Sequence, residues 1–106
     1  TQMQVVTVPN LGGVVIEEAA IKMADVYRLG SSQADNGILL LVAAEERRIR
    51  IEVGQGREGD LPDARTSRII RDVMVPRFRE GSADRAVWAG VMAILHFTDP
   101  QFLESS

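Results

Sequence analysis

Three carboxylates fall within the stretch GQGREGDLPD that runs from Gly54 to Asp63: Glu58, Asp60 and Asp63. Upstream, Asp35-Asn36-Gly37 adds a fourth carboxylate and a side-chain amide. Ca²⁺ takes oxygen donors of these types, about six to eight at a time, while Mg²⁺ takes fewer from protein and keeps more water. Gly37, Gly54, Gly56 and Gly59 lie among the acids and let backbone carbonyls turn inward. We therefore take Asp35, Asn36, Glu58, Asp60 and Asp63 as candidate ligands of a divalent cation, Ca²⁺ first and Mg²⁺ second. The spacing is not that of an EF-hand loop. The same residues also suit a simpler role, since Asp35-Asn36-Gly37 reads as a turn, and Asp60 and Asp63 suit a helix N-terminus.

These two stretches flank a pair of strands that must bring them together. Residues Ile38 to Ala43 (ILLLVA) are apolar throughout, the pattern of a strand buried on both faces and central in its sheet. Residues Arg48 to Val53 (RIRIEV) alternate strictly, which predicts an edge strand with one polar face. Glu45, Glu46 and Arg47 between them are too few for a crossover, so the pair is antiparallel. A hairpin folds its outer ends together, placing the Asp35 loop beside the Gly54–Asp63 loop.

The remaining elements follow from period and punctuation. Met3 to Val8 reads as a first strand, ended by Pro9 and Asn10. Ile16, Ala19, Ala20, Met23 and Tyr27 recur at helical spacing between Val14 and Leu29, and Gly30-Ser31-Ser32 stops that helix. Strand, helix and strand make a crossover unit, so the first two strands should be parallel. A second helix begins near Pro62, with Asp60 as its prospective cap, and buries Ile69, Ile70, Val73 and Met74; Pro76 should end or kink it. Gly81-Ser82 breaks the chain before a last helix, about Ala83 to Phe97, with Val87, Val91, Ile94 and Leu95 on one face and Asp99-Pro100 behind it. The order β-α-β-β-α-α predicts a three-layer α/β/α sandwich around a small mixed sheet.

Composition excludes several functions. The chain has 106 residues and a net charge of −3, with acids interleaved among the arginines between Arg57 and Arg85, so a nucleic-acid surface is not expected. It has no cysteine, hence no disulfide, thiolate ligand or cysteine nucleophile. No apolar run reaches the ~18 residues of a membrane span. GQGREG lacks the Lys-Ser/Thr ending of a P-loop. His96, the single histidine, reads as a surface residue, and Trp88 and Tyr27 as packing aromatics.

The run DNGILLLVA, then RIRIEVGQGREGDLPD, then RIIRDVMVPRF with Gly81 after it, resembles the TPM domain. That domain is shared by thylakoid-lumen proteins, bacterial envelope proteins and a neuronal receptor modulator. The resemblance extends from Val5 to the last helix. It implies an α/β/α sandwich on the extracytoplasmic side of a membrane in the cell envelope, with a signal peptide and one membrane anchor outside this stretch. It also implies links to Ca²⁺ binding, phosphatase activity, and assembly or repair of membrane complexes. Members carry a helix ahead of the VVTV strand, so residues 1–106 are expected to be a single domain excised from a longer protein. Self-association or domain swapping is expected to hide the face that helix would cover. The family's Trp-Gly-x-Gly at the end of the first helix is Tyr27-Arg28-Leu29-Gly30 here, and Ala83 and Ala86 replace an aromatic and a glycine.

Three functions fit. One is a Ca²⁺-binding interaction module of a membrane-anchored envelope protein, with a membrane-protein partner. Another is a metal-dependent phosphatase using the same acids, with Arg57 and Arg65 as candidate phosphate ligands. The third is a structural domain whose acids only cap and turn.

Overall fold

The computed structural model describes residues 2–26 and 37–101. They fall into two compact units, Thr1–Glu58 and Gly59–Ser106. The first holds strand β1 (Gln2–Val8), helix α1 (Ile16–Val26), strands β2 (Gly37–Ala43) and β3 (Arg48–Val53), and a 3₁₀ turn, Gln55–Arg57. The second holds helix α2 (Asp63–Arg68), a π-helical segment (Ile69–Met74), helix α3 (Val75–Arg79) and helix α4 (Ala83–Thr98).

The sheet has the order β1-β2-β3, with β1 and β2 parallel and β2 and β3 antiparallel. This is the α/β fold with a small mixed sheet expected from the sequence. Every residue of β2 is buried. Its Leu39 and Leu41 face α1, where they pack with Ile16 and Ala20, and Val6 and Val8 of β1 close the cluster. Arg48, Arg50 and Glu52 of β3 lie opposite Ala43, Leu41 and Leu39, on that same face of the sheet. Arg48 is exposed, and Arg50 donates from Nε and Nη2 to Oε1 of Glu52 at 3.2 and 3.1 Å. An edge strand can carry such a polar row because no further strand has to pack on it.

Helix α1 starts two residues later than the sequence pattern suggests. The Asn10 side chain accepts from Gly12 N–H at 3.0 Å, and Gly12 and Gly13 take positive φ, so the turn carries through Val14. Val15, expected inside the helix, is 62% exposed. The hairpin turn also anchors this loop, since the Glu46 carboxylate accepts from Leu11 N–H at 2.7 Å. Tyr27 and the Gly30-Ser31-Ser32 stop lie outside the described residues.

In the second unit the helix does not end at Pro76. The turn ahead of it widens: Val75 N–H donates to the carbonyl of Ile70, five residues back. Proline has no N–H to give and its ring would strike the carbonyl four residues earlier. The widened turn resets the bonding register, so that Pro76 stands in the first turn of α3, where the missing donor is harmless. Helix α3 closes with a Schellman motif: Gly81 N–H donates to Phe78 C=O at 3.0 Å and Ser82 N–H to Arg77 C=O at 3.3 Å, with Gly81 at φ 91°. The Ser82 hydroxyl then accepts from Arg85 N–H at 3.1 Å and caps α4. Gly81 and Ser82 thus end one helix and start the next, at the place where the sequence predicted a break.

The buried stripe of α4 is Ala86, Gly90 and Ile94, with Val87, Val91 and Leu95 half-buried beside it. A Cβ on Gly90 would meet Met74 Cε and Sδ at 2.6 Å, so the glycine is what lets the widened turn approach α4. Trp88 falls on the opposite side of this stripe and is 67% exposed, not packed in a core. At about 100° per residue it lies roughly half a turn from Ala86 and Gly90.

Candidate functional site

The hairpin brings its outer ends together at the backbone. Ile38 pairs with Val53, and Gly54 N–H donates to Gly37 C=O at 2.9 Å. The chain then folds at once into the 3₁₀ turn, with Arg57 N–H on Gly54 C=O at 2.9 Å and Glu58 N–H on Gln55 C=O at 3.3 Å. Glu58 closes this turn and is exposed. It ends the first unit, while Asp60 and Asp63 open the second. Asp35 and Asn36, the other two candidate ligands, lie outside the described residues. Among the described residues no group of three or more His, Asp or Glu side chains is gathered as a metal cage.

Around α2 the capping differs from the sequence expectation. Pro62, not Asp60, is the N-cap residue, in an extended conformation with φ −66° and ψ 161°. Its carbonyl takes the N–H groups of Arg65 and Thr66 at 2.8 and 3.1 Å. Proline offers no side-chain acceptor, and Asp60 stands two residues too early for the cap position. The exposed Asp63 is the first helical residue, where a carboxylate meets the positive end of the helix dipole. Its carbonyl accepts from the hydroxyl of the buried Thr66 at 3.1 Å.

Asp60 contributes through its backbone. Its carbonyl accepts from Arg65 Nη1 at 2.8 Å. The same guanidinium lies over the Phe97 ring at 4.1 Å, a cation–π stack that fixes its plane. Arg65 thus has its position set from two sides. Beside it runs a groove of about 390 Å³ between the 63–79 helix and α4, walled by Arg68, Ile69, Val73, Ala93 and Phe97. This feature was not foreseen. Arg65, Arg68, Ile69, Asp72 and Val73 do share one helical face by spacing, but the second wall comes from α4 far downstream.

Asp72 sits at the same groove on the widened turn. Its carboxylate accepts from Arg71 Nε at 2.9 Å, and this bond holds its pKa below the ordinary carboxylate value. His96 is exposed, as expected, and meets Phe97 edge-on at 5.0 Å.

The family model of the TPM domain matches residues 1–97. Among solved structures the chain is similar to the N-terminal domain of a protein from P. gingivalis, with 38% identity and a TM-score of 0.86 over 93% of this chain. The match spans 63% of that chain, less than two thirds of its length. The chain is also similar in fold to the BA42 protein from the psychrophilic bacterium Bizionia argentinensis, with 17% identity and a TM-score of 0.71, over 90% of this chain and 67% of that one. A search of curated proteins finds no match.

Proposed function

Because the chain belongs to the TPM domain family, we propose that it is an extracytoplasmic, Ca²⁺-binding interaction module of a membrane-anchored envelope protein. Its role would be to aid assembly or repair of a membrane complex. The observation that supports the cation site is the 2.9 Å bond from Gly54 N–H to Gly37 C=O. It sets the start of the Glu58 turn beside the chain that has just left Asp35 and Asn36. As part of the proposal, the carboxylates of Asp35 and Glu58 meet there, where they would repel one another without a cation. The membrane anchor is part of the proposal, since no helix among the described residues is long and apolar enough to cross a bilayer.

Thermal melting with Ca²⁺, Mg²⁺ or chelator tests this reading. A ligand bound only by the folded state stabilises it by about 2.7 kcal/mol at a hundredfold excess over its Kd. For a domain of this size that is a rise of several degrees. Asp35→Asn or Asp63→Asn should remove most of the rise. Glu45→Gln, in the turn at the far end of the hairpin, should not; Glu46 is unsuitable as a control because its carboxylate holds Leu11 N–H. If Ca²⁺ moves the melt no more than matched ionic strength does, the cation site is wrong. Turnover of a phosphate monoester that disappears in Asp35→Asn with the fold intact would favour the phosphatase reading instead.

A further inference from the structure

The groove beside Arg65 combines a fixed cation, a second cation and an apolar floor within one unit. The guanidinium of Arg65 is held by the Asp60 carbonyl at 2.8 Å and by the Phe97 ring at 4.1 Å. An arginine already immobilised loses little further freedom when it accepts a ligand. Arg68, one helical turn on, is exposed and acts on Asp72 through its charge, with no hydrogen bond or ion pair to it among the described residues. The acid at this rim, Asp72, has its carboxylate engaged by Arg71 at 2.9 Å. The local balance therefore favours an anion. Between the charges the lining is Ile69, Val73, Ala93 and Phe97, none of which offers a side-chain hydrogen bond.

The geometry points to a docking site for a short peptide segment that alternates acidic and apolar side chains. Its carboxylates would meet Arg65 and Arg68, and its apolar side chains would lie between the 63–79 helix and α4. Charge complementarity selects acidic over basic partners, because arginine pairs with carboxylate through parallel N–H donors. The apolar floor argues against a free phosphate, which could not use it. The volume of about 390 Å³ lies at the small end of ligand sites, enough for a short segment and not for a folded domain. This site uses different side chains from the candidate cation ligands and stands whether or not those bind a metal.

The probe is a fluorescein-labelled, N-acetylated octapeptide of alternating glutamate and leucine, titrated with the full chain and read by fluorescence anisotropy. Binding should weaken as salt rises. Arg68→Gln should weaken it about tenfold, the scale of one hydrogen bond to a charged group. Arg68 is exposed, so this variant leaves the fold intact, which Arg65→Met need not do. Asp72→Asn removes the opposing carboxylate, frees Arg71, and should tighten binding. Amide shifts on titration should map to Val73, Ala93 and Phe97. The proposal is overturned if the glutamine–leucine version of the peptide binds as well, or if Arg68→Gln leaves affinity unchanged. It is equally overturned if the shifts map instead to the exposed Trp88 with Arg77 and Arg85, or if anionic vesicles bind through Arg68 while the peptide does not.

Discussion

The β2–β3 hairpin and the 63–79 helix both carry a readable apolar pattern, but that pattern accounts for burial more fully in the hairpin. In β2 all seven residues are apolar or glycine, and all seven are buried. In β3 Ile51 reaches the core at 3% exposure, Ile49 and Val53 are half-buried, and Arg48 is left in water. In the helix, four residues at α-helical spacing were expected inside. Ile69 and Met74 are buried, while Ile70 and Val73 are half-buried. Residues five apart fall on different faces of a regular α-helix. The π-helical turn, with its bond from Val75 N–H to Ile70 C=O, adds the residue that brings Ile69 and Met74 to one side. A strand's period is fixed by its pleat. A helix's period changes wherever one hydrogen bond slips.

The sharpest contrast should come from truncation. Leu41→Ala removes a side chain at 0% exposure from the cluster with Ile16, Ala20 and Leu39. It should cost about 2–5 kcal/mol in urea unfolding, the usual range for a buried leucine. Val73→Ala, at a half-buried position of the helix, should cost clearly less. Equal losses would mean that the helix packs as regularly as the strand, and the comparison would fail.

The next effect is at the contact that the widened turn makes possible. Gly90→Ala places a Cβ 2.6 Å from Met74 Sδ and Cε and 3.2 Å from its Cγ. Met74 is fully buried, so its thioether can yield only by disturbing neighbours. Overpacking costs about 1–3 kcal/mol, against a gain of about 1 kcal/mol from replacing a mid-helix glycine. A net loss of up to about 2 kcal/mol is expected on that balance. Adding Met74→Ala should recover part of it, so the double variant should lose less than the sum of the two single changes. Strict additivity would show that the two residues do not press on each other.

Pro76→Ala asks whether the register has been reset. A proline in a helix interior costs about 3 kcal/mol relative to alanine. One in a first turn costs almost nothing. Pro76 stands in the first turn of α3, so its replacement should change stability by less than about 1 kcal/mol. A gain near the interior value would show that the helix runs unbroken through this point.

Legibility follows the same division. The three strands, their order and their directions were readable because β2 is a continuous apolar run, β3 alternates, and the lengths of the connections set the directions. The junction of α3 and α4 was readable because Gly81 and Ser82 each carry a local backbone role, a positive φ and a side-chain cap. The closure of the hairpin at Gly37 and Gly54 followed from strand pairing alone. Three features were hidden. The N-cap fell to Pro62, whose part is played by backbone conformation rather than side-chain chemistry. Trp88 faces solvent because the stripe of α4 runs through small residues, Ala86 and Gly90, which a search for bulky apolar positions passes over. The Arg65 groove needs Phe97 from another helix, and no local spacing announces that contact.

The smallest effect concerns the surface pair on the widened turn itself. Arg71 Nε donates to Asp72 Oδ1 at 2.9 Å and Nη2 to Oδ2 at 3.4 Å. The hydrogen bond from Arg71 is the main cause that lowers the Asp72 pKa from 3.8; the charges of Arg71 and Arg68 act in the same direction, and burial acts against them. A carboxylate whose folded-state pKa is depressed adds stability above its unfolded value and loses it as pH falls through the folded one. For Asp72 that window lies below 3.8. The pair is well exposed, so screening keeps its contribution small. Urea midpoints of the wild type and Asp72→Asn should therefore nearly coincide at neutral pH, with any advantage of the wild type fading as the pH falls below 3.8. An advantage that grew with acidity would contradict the sign. A large advantage at neutral pH would show that this ion pair, rather than Pro76 and the packing of Met74, holds the helix in its widened register.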